Sequence, residues 1–303
     1  MRYKNVGKSA LRVSVLSLGS NNFGKQVSED ETIRMIKKAI DLGINAIDTA
    51  DVYTDGRSEE IIGKAVQGYR NDMVLASKVG LEGGASSGNI IAKVNQSLQR
   101  LRTDHIDLYY IHAFDEATPL EETMSTLNDL VHQGKLRHIA CSNFSGTQME
   151  KARKVCESRG YEQFIADQPE YNMIQRSAEA DVIPYCKKEK MGVFPYSPLM
   201  GGFLVGKYSR DRPAPEGSRG AYNQRYLASF DSKNYDRLER LQTIASEANV
   251  PLMELAIGWL LKKEAVTSVI VGASRADQLP ETVAIANRSV SDDVVRKIDE
   301  LTR

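Results

Sequence analysis

The sequence predicts an α/β fold: a (β/α)8 barrel with an N-terminal β-hairpin and extra helices. Short apolar runs alternate with amphipathic stretches, and this β-then-α unit occurs eight times along the chain. Repeated units of this kind connect by right-handed crossovers and therefore form a parallel sheet. The length of 303 residues is long for an ordinary domain but normal for a closed α/β barrel. Because no linker composition or second core is evident, we expect residues 1–303 to form a single domain.

The first part of the chain begins with a hairpin pattern. Residues 3–18 hold two short apolar runs around Gly7, and they predict a β-hairpin that leads into a strand ending at Gly19. Ser28 followed by Glu31 is typical of the capping box at a helix N-terminus, and Gly43 is typical of the residue after a helix. Further strands are expected at 44–48, 73–78, 106–112 and 139–142, and helices at 58–66, 89–101, 119–132 and 148–158.

The second part continues the alternation and contains one long polar interval. Strands are expected at 164–168, 192–196 and 268–272, and helices at 179–190, 234–249, 251–263, 276–287 and 291–302. Residues 201–232 are too long for a plain connection, which suggests a lid over a functional site. The glycine-rich stretch 82–88 predicts a loop, and it matches neither glycine-rich phosphate-binding fingerprint.

Composition and charge exclude several classes of partner. The 41% hydrophobic and 26% charged residues are typical of a soluble globular protein with a large core. The formal net charge of +0 argues against nucleic acid or an anionic membrane surface as the main partner. No apolar run approaches the roughly 20 residues of a membrane-spanning helix. The N-terminus lacks the apolar core of a signal peptide, so we expect a cytoplasmic protein.

Cysteine usage predicts neither a disulfide framework nor a metal site. Cys141, Cys156 and Cys186 are an odd, sparse set without a C-x-x-C pair. We therefore expect reduced cysteines that pack in the interior, and no bound metal. Cys141 lies near the end of a predicted strand, which leaves its sensitivity to oxidation open.

Three successive predicted strands end in an ionisable residue. Asp48, Lys78 and His112 each follow an apolar run, and Tyr53 lies on the loop after the first of them. In a parallel barrel the C-terminal ends of the strands share one face, where barrel enzymes carry their active sites. These four side chains are suited to protonate an alkoxide as it forms. An alkoxide forms when a hydride reduces a carbonyl group.

Simple electrostatics show how the four residues could act together. An ammonium about 4 Å from a phenolate stabilises it by about 4 kcal/mol at an effective dielectric constant near 20. At about 1.4 kcal/mol per pKa unit, Lys78 could lower the pKa of Tyr53 by up to about three units. Asp48 would hold Lys78 in place. A neutral His112 could orient a carbonyl oxygen.

The stretch from Asp48 to Tyr53 (DTADVY), with Lys78 and His112 at the next strand ends, resembles the catalytic tetrad of the aldo-keto reductase family. This resemblance extends in order over nearly the whole chain and implies a TIM barrel. Further matches lie at 16–19, 23–24, 56–63, 142–143, 168, 196–199, 201–208, 217–219 and 272–281. The pattern of the later segments is similar to the branch that contains bacterial reductases and potassium-channel β-subunits.

The resemblance implies a role for each matching residue. Tyr53 would be the general acid, His112 the group that orients the carbonyl, and Lys78 with Asp48 the pair that tunes the pKa of Tyr53. The residues implied to bind NADP(H) are Ser20, Asn21, Gln26, Ser142, Asn143, Gln168, Tyr196, Ser197, Pro198, Leu199, Gly201, Lys207, Arg219, Gly272, Ser274, Gln278 and Glu281.

Within that set the resemblance assigns parts of the cofactor. Ser142, Asn143 and Gln168 would bind the nicotinamide carboxamide, and Tyr196 would stack on its ring. Ser197, Leu199, Gly201 and Lys207 would line the pyrophosphate, Arg219 and Ser274 the 2′-phosphate, and Gln278 and Glu281 the adenine end. Ser20, Asn21 and Gln26 match early cofactor or pocket positions.

Two departures from the family pattern bear on the adenine end. Thr282 follows Glu281 where the family often has asparagine, which puts a second adenine contact in doubt. Arg275, together with Arg219, favours NADP(H) over NAD(H), because arginine supplies a bidentate fork for a 2′-phosphate.

Two alternatives remain from other functional classes. The chain could be a regulatory subunit whose bound nicotinamide senses redox state, although channel-associated relatives replace the histidine that stands here at position 112. It could also be a barrel aldolase or isomerase with Lys78 as a Schiff base, although Asp48 and Tyr53 beside the lysine argue otherwise. The partner expected is a small carbonyl substrate, and the oligomeric state is left open.

Overall fold

The computed structural model describes residues 1–302 except 211, 217, 224, 225, 227 and 229, and it describes only the backbone of Arg219 and Tyr222. Its strands are β1 Tyr3–Asn5, β2 Arg12–Ser14, β3 Leu16–Gly19, β4 Ala46–Asp48, β5 Val74–Val79, β6 Ile106–Ile111, β7 Leu136–Ser142, β8 Ala166–Gln168, β9 Gly192–Val193 and β10 Val269–Val271. Strands β3 to β10 form one parallel sheet in the order β10-β3-β4-β5-β6-β7-β8-β9.

Helices follow the strands, as the sequence predicts. They are α1 Glu29–Asp41, α2 Arg57–Ala65, α3 Ser87–Leu101, α4 Leu120–His132, α5 Gly146–Arg159, α6 Val182–Glu189, α7 Arg219–Tyr222, α8 Ser232–Glu247, α9 Leu252–Lys262, α10 Leu279–Ala286 and α11 Asp292–Thr302. None of these helices, within the described part of the chain, has the length and apolar character needed to cross a membrane.

Hydrogen bonds between the two edges close the sheet into a barrel. The backbone N–H of Thr267 donates to the carbonyl oxygen of Val193 at 2.8 Å, and Ile270 N–H donates to Pro195 O at 3.0 Å. The predicted (β/α)8 barrel is therefore confirmed. Strand β9 is shorter than the predicted 192–196, and Pro195 has no N–H to contribute to a ladder.

The N-terminal hairpin covers the bottom of the barrel. Strands β1 and β2 pair antiparallel, with Tyr3 opposite Ser14, as the sequence predicts. Val6 and Val13 are fully buried and pack with the small core inside the barrel, which includes Ala46 and Leu108. Burial of these apolar side chains closes the end of the barrel that lies opposite the C-terminal strand ends.

Side chains alternate along the strands between the barrel interior and the helical layer. Ala46, Ala76 and Leu108 belong to the interior cluster, whereas Ile47 and Leu75 pack in the larger core beneath the helices. This alternation decides which side chains reach the upper layer of the interior, because every second residue of a strand shares one face.

Helix α1 begins at its predicted N-terminus, but only one of the two capping-box contacts is formed. The Ser28 hydroxyl accepts from the backbone N–H of Glu31 at 3.3 Å. The Glu31 carboxylate accepts instead from the backbone N–H of Ala276 at 2.8 Å, which ties α1 to the segment after β10.

Candidate active site

A cavity of about 610 Å³ opens at the C-terminal ends of the strands. This volume falls in the range of small-molecule and cofactor sites, about 300–1,000 Å³. Its described lining consists of Gly19, Ser20, Asn21, Asn22, Asp48, Tyr53, Leu81, His112, Ser142, Asn143, Gln168, Tyr196, Ser197, Pro198, Leu199, Gly201, Gly202, Val205, Lys207, Ile270, Gly272, Ala273, Ser274 and Gln278. Most of the residues predicted to form the site therefore border one cavity.

The four residues predicted to be catalytic lie together at the base of this cavity. Lys78 Nζ donates to Asp48 Oδ2 and to the backbone oxygen of Thr49, both at 2.7 Å, and lies 3.3 Å from the Tyr53 hydroxyl oxygen. Lys78 is fully buried behind the lining. Asp48 and Lys78 occupy interior positions at the ends of β4 and β5, which explains why the two meet.

The electrostatic environment of Tyr53 differs from the sequence-based expectation. Burial raises the pKa of the phenol, and this effect outweighs the nearby Lys78 ammonium, which lowers the pKa. The Asp48 carboxylate also raises the pKa of Tyr53. Lys78 does lower the pKa of Tyr53, but the expectation that the pKa is lowered overall is wrong, because burial and the Asp48 charge raise it by more.

Lys78 itself stays protonated although it is buried. Burial alone would lower the pKa of its ammonium, but Asp48 and Tyr53 together hold the pKa above its usual value. The positive charge of Lys78 is therefore fixed beside the Tyr53 hydroxyl, in a buried part of the barrel with a low dielectric constant.

His112 follows β6 and reaches the same point of the cavity. Its ring lies edge-on to that of Tyr53, with 6.0 Å between the ring centroids. Burial, with a further contribution from the Lys78 charge, lowers the pKa of His112 to about 3. Its Nδ1 atom is buried without a hydrogen-bond partner among the described residues. His112 also lines the cavity, so its neutral imidazole ring faces a bound ligand.

A chain of amide and hydroxyl groups forms the wall beside the tetrad. Gln168 Nε2 donates to Asp48 Oδ1 at 2.8 Å, and the Ser142 hydroxyl donates to Gln168 O at 2.7 Å. Asn143 Nδ2 donates to His112 O at 2.9 Å, and the Tyr196 hydroxyl donates to Asn143 Oδ1 at 2.9 Å. These bonds fix the orientation of polar side chains that face the cavity.

Left-handed backbone shapes the wall after β9. Ser197, Met200, Gly201 and Gly202 all have positive φ, with φ of 59° at Gly201 and 99° at Gly202. A Cβ at Gly201 would lie 2.8 Å from the Tyr226 hydroxyl oxygen, so a larger residue here would have to displace the Tyr226 ring and would add strain at this positive φ. The described residues of the predicted lid that line the cavity are 201, 202, 205 and 207.

The far end of the cavity lies beside β10. Gln278 Oε1 accepts from the backbone N–H of Ser274 at 2.9 Å, which links the start of α10 to the strand end. A Cβ added to Gly272 would meet no protein atom within 4 Å. Arg275 is exposed and pairs with Asp277 at 3.1 Å, outside the described lining. The Arg219 side chain lies outside the described residues.

Two residues predicted to bind the cofactor lie away from the described lining. Gln26 is exposed on the turn before α1, and Glu281 is exposed in the first turn of α10. Phe23, in the matching segment 23–24, is fully buried in the outer core.

Sequence reasoning missed two apolar residues at the cavity mouth. Leu81 is 56% exposed and Val205 is 41% exposed, which is unusual for large apolar side chains. Leu81 lies on the loop just after β5, so the rule that strand-end loops carry function could have identified it. Val205 falls within the predicted lid, 201–232, but nothing in the local sequence distinguishes it from its neighbours.

The cysteines do not contribute to the site. Cys141, Cys156 and Cys186 are free and buried, and burial raises the pKa of Cys141 well above its usual value. A buried thiol with a raised pKa is a poor nucleophile, which argues against easy oxidation of Cys141. Among the described residues, no group of three or more His, Cys, Asp or Glu side chains could hold a metal ion.

Comparison with known proteins gives matches over the whole barrel. The model of the aldo/keto reductase family matches residues 15–303. A probable voltage-gated potassium channel subunit beta of Arabidopsis thaliana is 36% identical, over 93% of this chain and 90% of that protein. The uncharacterized oxidoreductase YrpG of Bacillus subtilis is 33% identical, over 99% of this chain and 96% of that protein. L-glyceraldehyde 3-phosphate reductase of Escherichia coli O157:H7 is 32% identical, over 99% and 92%.

The family match and these relatives cover the strands, the strand ends and the cavity described above. With oxidoreductases among the relatives and a family model that spans almost its whole length, this chain belongs to the aldo/keto reductase family of oxidoreductases.

Proposed function

We propose that this chain is an NADPH-dependent reductase that converts an aldehyde or ketone to the alcohol. One observation carries the proposal: the buried ammonium of Lys78, held by Asp48, lies 3.3 Å from the hydroxyl of Tyr53 on the cavity wall. A phenol next to a fixed positive charge is suited to release a proton to an oxygen that gains negative charge.

Tyr53 is the proton donor in this proposal. Its raised pKa keeps the phenol protonated at neutral pH, which is the form that reduction needs. As the proton moves to the substrate oxygen, the phenolate forms beside the Lys78 ammonium, which stabilises it. Asp48 holds Lys78 in position through the 2.7 Å contact and, with Gln168, fixes the orientation of the pair.

His112 orients the carbonyl group. Its neutral imidazole has one N–H donor, and its ring lies beside the ring of Tyr53. A hydrogen bond from His112 to the carbonyl oxygen would strengthen as negative charge develops there. When bound, a nicotinamide cofactor supplies the hydride that adds to the carbonyl carbon.

The lining residues fit such a cofactor. Ser142, Asn143 and Gln168 offer amide and hydroxyl groups for the carboxamide, and Tyr196 offers a ring for stacking. Open space above Gly272 leaves room for a cofactor close to the backbone, and Gly201 lines the part of the cavity proposed for the pyrophosphate. Lys207 supplies a cation on that wall. Ser274 and Gln278 line the end proposed for the adenosine, and Arg219 with Arg275 are proposed for the 2′-phosphate.

The competing proposal is a nicotinamide-binding regulatory subunit with little turnover; the Arabidopsis relative is named a probable voltage-gated potassium channel subunit beta. The neutral His112 beside Tyr53 favours the enzyme, because a subunit that only senses cofactor has no need of a carbonyl-orienting donor. A Schiff base on Lys78 is disfavoured, since its ammonium is fully buried and bonded to Asp48 and Thr49. We further propose a cytoplasmic location and a small carbonyl substrate.

The test compares the wild type with Tyr53→Phe. NADPH oxidation is followed with aldehydes, ketosugars, pyridoxal, methylglyoxal and glyceraldehyde 3-phosphate, with NADH in parallel, and binding of NADPH is measured by fluorescence. We expect Tyr53→Phe to bind NADPH as the wild type does and to lose nearly all turnover. Wild-type turnover in this variant would reject Tyr53 as the acid. Tight NADPH binding by a wild type that turns over none of these carbonyls would favour the regulatory subunit.

A further inference from the structure

A cluster of buried polar groups lies behind the barrel wall, on the side away from the cavity. Ser77 points outward from β5, and its hydroxyl donates to Glu59 Oε1 at 2.6 Å. Glu59, in α2, is fully buried, and its other oxygen lies 3.3 Å from Arg100 Nη1 of α3. The proposed chemistry makes no use of this cluster.

Helix α3 also reaches the turn that carries Tyr53. Arg100 Nη1 donates to the backbone oxygen of Asp51 at 3.4 Å, and Lys93 Nζ lies 3.2 Å from Asp51 Oδ2. Lys93 and Arg100 are seven residues apart and therefore lie on one face of the helix. The Asp51 side chain is fully buried. Burial raises the pKa of the Asp51 carboxyl, and the Lys93 ammonium opposes this rise, so Lys93 compensates part of its charge.

The turn itself has an unfavourable backbone conformation. Thr54 and Asp55 have φ of 53° and 54°, and Gly56 follows with φ of 85°. Left-handed backbone is costly for residues that carry a Cβ, and it persists only where the surrounding structure determines it. Gly56 packs directly on α3, since a Cβ at this position would lie 2.2 Å from Arg100 Cζ. The turn after Tyr53 therefore packs closely against the Arg100 guanidinium.

We propose that Lys93 and Arg100 are positioning residues, which hold the 51–56 turn so that the Tyr53 hydroxyl stays within reach of Lys78 and the substrate. This inference rests on the proposed role of Tyr53 as the general acid. Neither Lys93 nor Arg100 belongs to the described lining of the cavity, so both act on the chemistry through the turn.

The first test replaces Lys93. The Lys93 side chain is 23% exposed, and methionine keeps most of its aliphatic stem, so Lys93→Met should fold. A misplacement of about 1 Å can cost a factor of about 100 in rate, so we expect kcat to fall at least about tenfold. The Kd for NADPH and the KM for the carbonyl should not change, and Lys93→Arg should restore kcat.

A matched control separates this effect from general weakening of α3. Lys135 Nζ donates to Asn95 Oδ1 on the exposed side of the same helix at 2.9 Å. Lys135→Met should leave kcat unchanged. Arg100→Lys keeps a charge beside Glu59 but loses the planar fork on the turn, so kcat should fall while the melting temperature is largely kept.

A double-mutant cycle tests whether Lys93 acts through Asp51. If it does, Lys93→Met combined with Asp51→Asn should lower kcat no further than one of the single changes does. Unchanged kcat in Lys93→Met, additive losses in the cycle, or a loss confined to NADPH binding would each overturn the inference. The wild type and Tyr53→Phe are measured first. If the wild type reduces no carbonyl, or Tyr53→Phe retains turnover, the proposed function fails; the variants of Lys93 and Arg100 test the positioning role in an enzyme for which that function holds.

Discussion

Lys78 Nζ lies 3.3 Å from the Tyr53 hydroxyl oxygen, yet the pKa of Tyr53 is higher than that of a free phenol. Burial disfavours the phenolate more than the ammonium favours it, and Asp48 offsets part of the Lys78 charge. Lys78 therefore acts less by making Tyr53 acidic at rest than by stabilising the phenolate once the proton has left.

This balance predicts opposite pH dependences for the two directions of the reaction. Reduction needs the protonated phenol, so its kcat should show no loss from Tyr53 up to about pH 10, the usual pKa of a phenol. Oxidation of the alcohol needs the phenolate and should accelerate as the pH rises toward that value. Initial rates from pH 6 to 10 in both directions check this; a reduction rate that falls near pH 7 in step with a Tyr53 titration would contradict it.

His112 should remain uncharged in every ordinary assay. Burial and the Lys78 charge lower its pKa to about 3, so kcat/KM should show no step near pH 6.5. His112→Ala should lower kcat by a factor of about 100, the cost of one hydrogen-bond donor to a developing oxyanion. The exposed His132→Ala is the control. An imidazole NMR titration with a midpoint between pH 6 and 7 at His112 would contradict the prediction.

The sequence predicts the barrel, and the meeting of the side chains of Asp48, Tyr53, Lys78 and His112, for a physical reason. Apolar runs that break into Asp48, Lys78 and His112 mark the strand ends, and a parallel barrel brings those ends to one face. The direction in which the pKa of Tyr53 departs from that of a free phenol could not be predicted in this way, because it depends on how deeply the ring is buried. The exposed Val205 could not be predicted either, since nothing in the local pattern distinguishes it from a core residue.

Gly272 provides a test of the cavity that does not involve the tetrad. A Cβ there would meet no protein atom within 4 Å, so Gly272→Val should fold normally and project into the cavity. Overpacking costs roughly 1–3 kcal/mol, which corresponds to a loss of NADPH affinity of about tenfold or more. Gly88→Ala in α3 also meets no atom within 4 Å and serves as the control. Unchanged NADPH affinity in Gly272→Val would place the cofactor elsewhere.

Asp167 should make the fold less stable as the pH rises. Its side chain points out of β8 and is fully buried, and burial raises its pKa to about 8. The folded state therefore keeps a proton that the unfolded carboxyl releases above about pH 4, the usual pKa of aspartate. Stability from this group is present at low pH and is lost as the pH rises from about 4 to 8.

The neutral isostere Asp167→Asn should remove this loss. Because one pKa unit corresponds to about 1.4 kcal/mol, the variant should gain more than about 1 kcal/mol relative to the wild type between pH 5 and pH 8. Urea denaturation of both proteins at each pH measures the difference. Parallel stability curves would show that Asp167 does not bind the proton.

The mouth of the cavity should favour uncharged, apolar carbonyl substrates. Leu81 is 56% exposed and Val205 is 41% exposed at the rim, and in the described lining Lys207 is the one lysine or arginine. That lysine is proposed for the cofactor pyrophosphate, which leaves no described cation there for a substrate phosphate. Burial of an apolar group is worth about 25 cal/mol per Å², so an aromatic aldehyde gains from contact with Leu81.

Leu81→Ser should therefore raise the KM for an aromatic aldehyde by about tenfold, since about 1.4 kcal/mol is tenfold in affinity. The KM for a small hydrophilic aldehyde should change little, because such a substrate does not reach the rim. Ile91→Ser is the matched control: Ile91 is 42% exposed in α3 and does not belong to the described lining. Equal effects of Leu81→Ser on both aldehydes would mean that Leu81 supports the fold of its loop and does not contact the substrate.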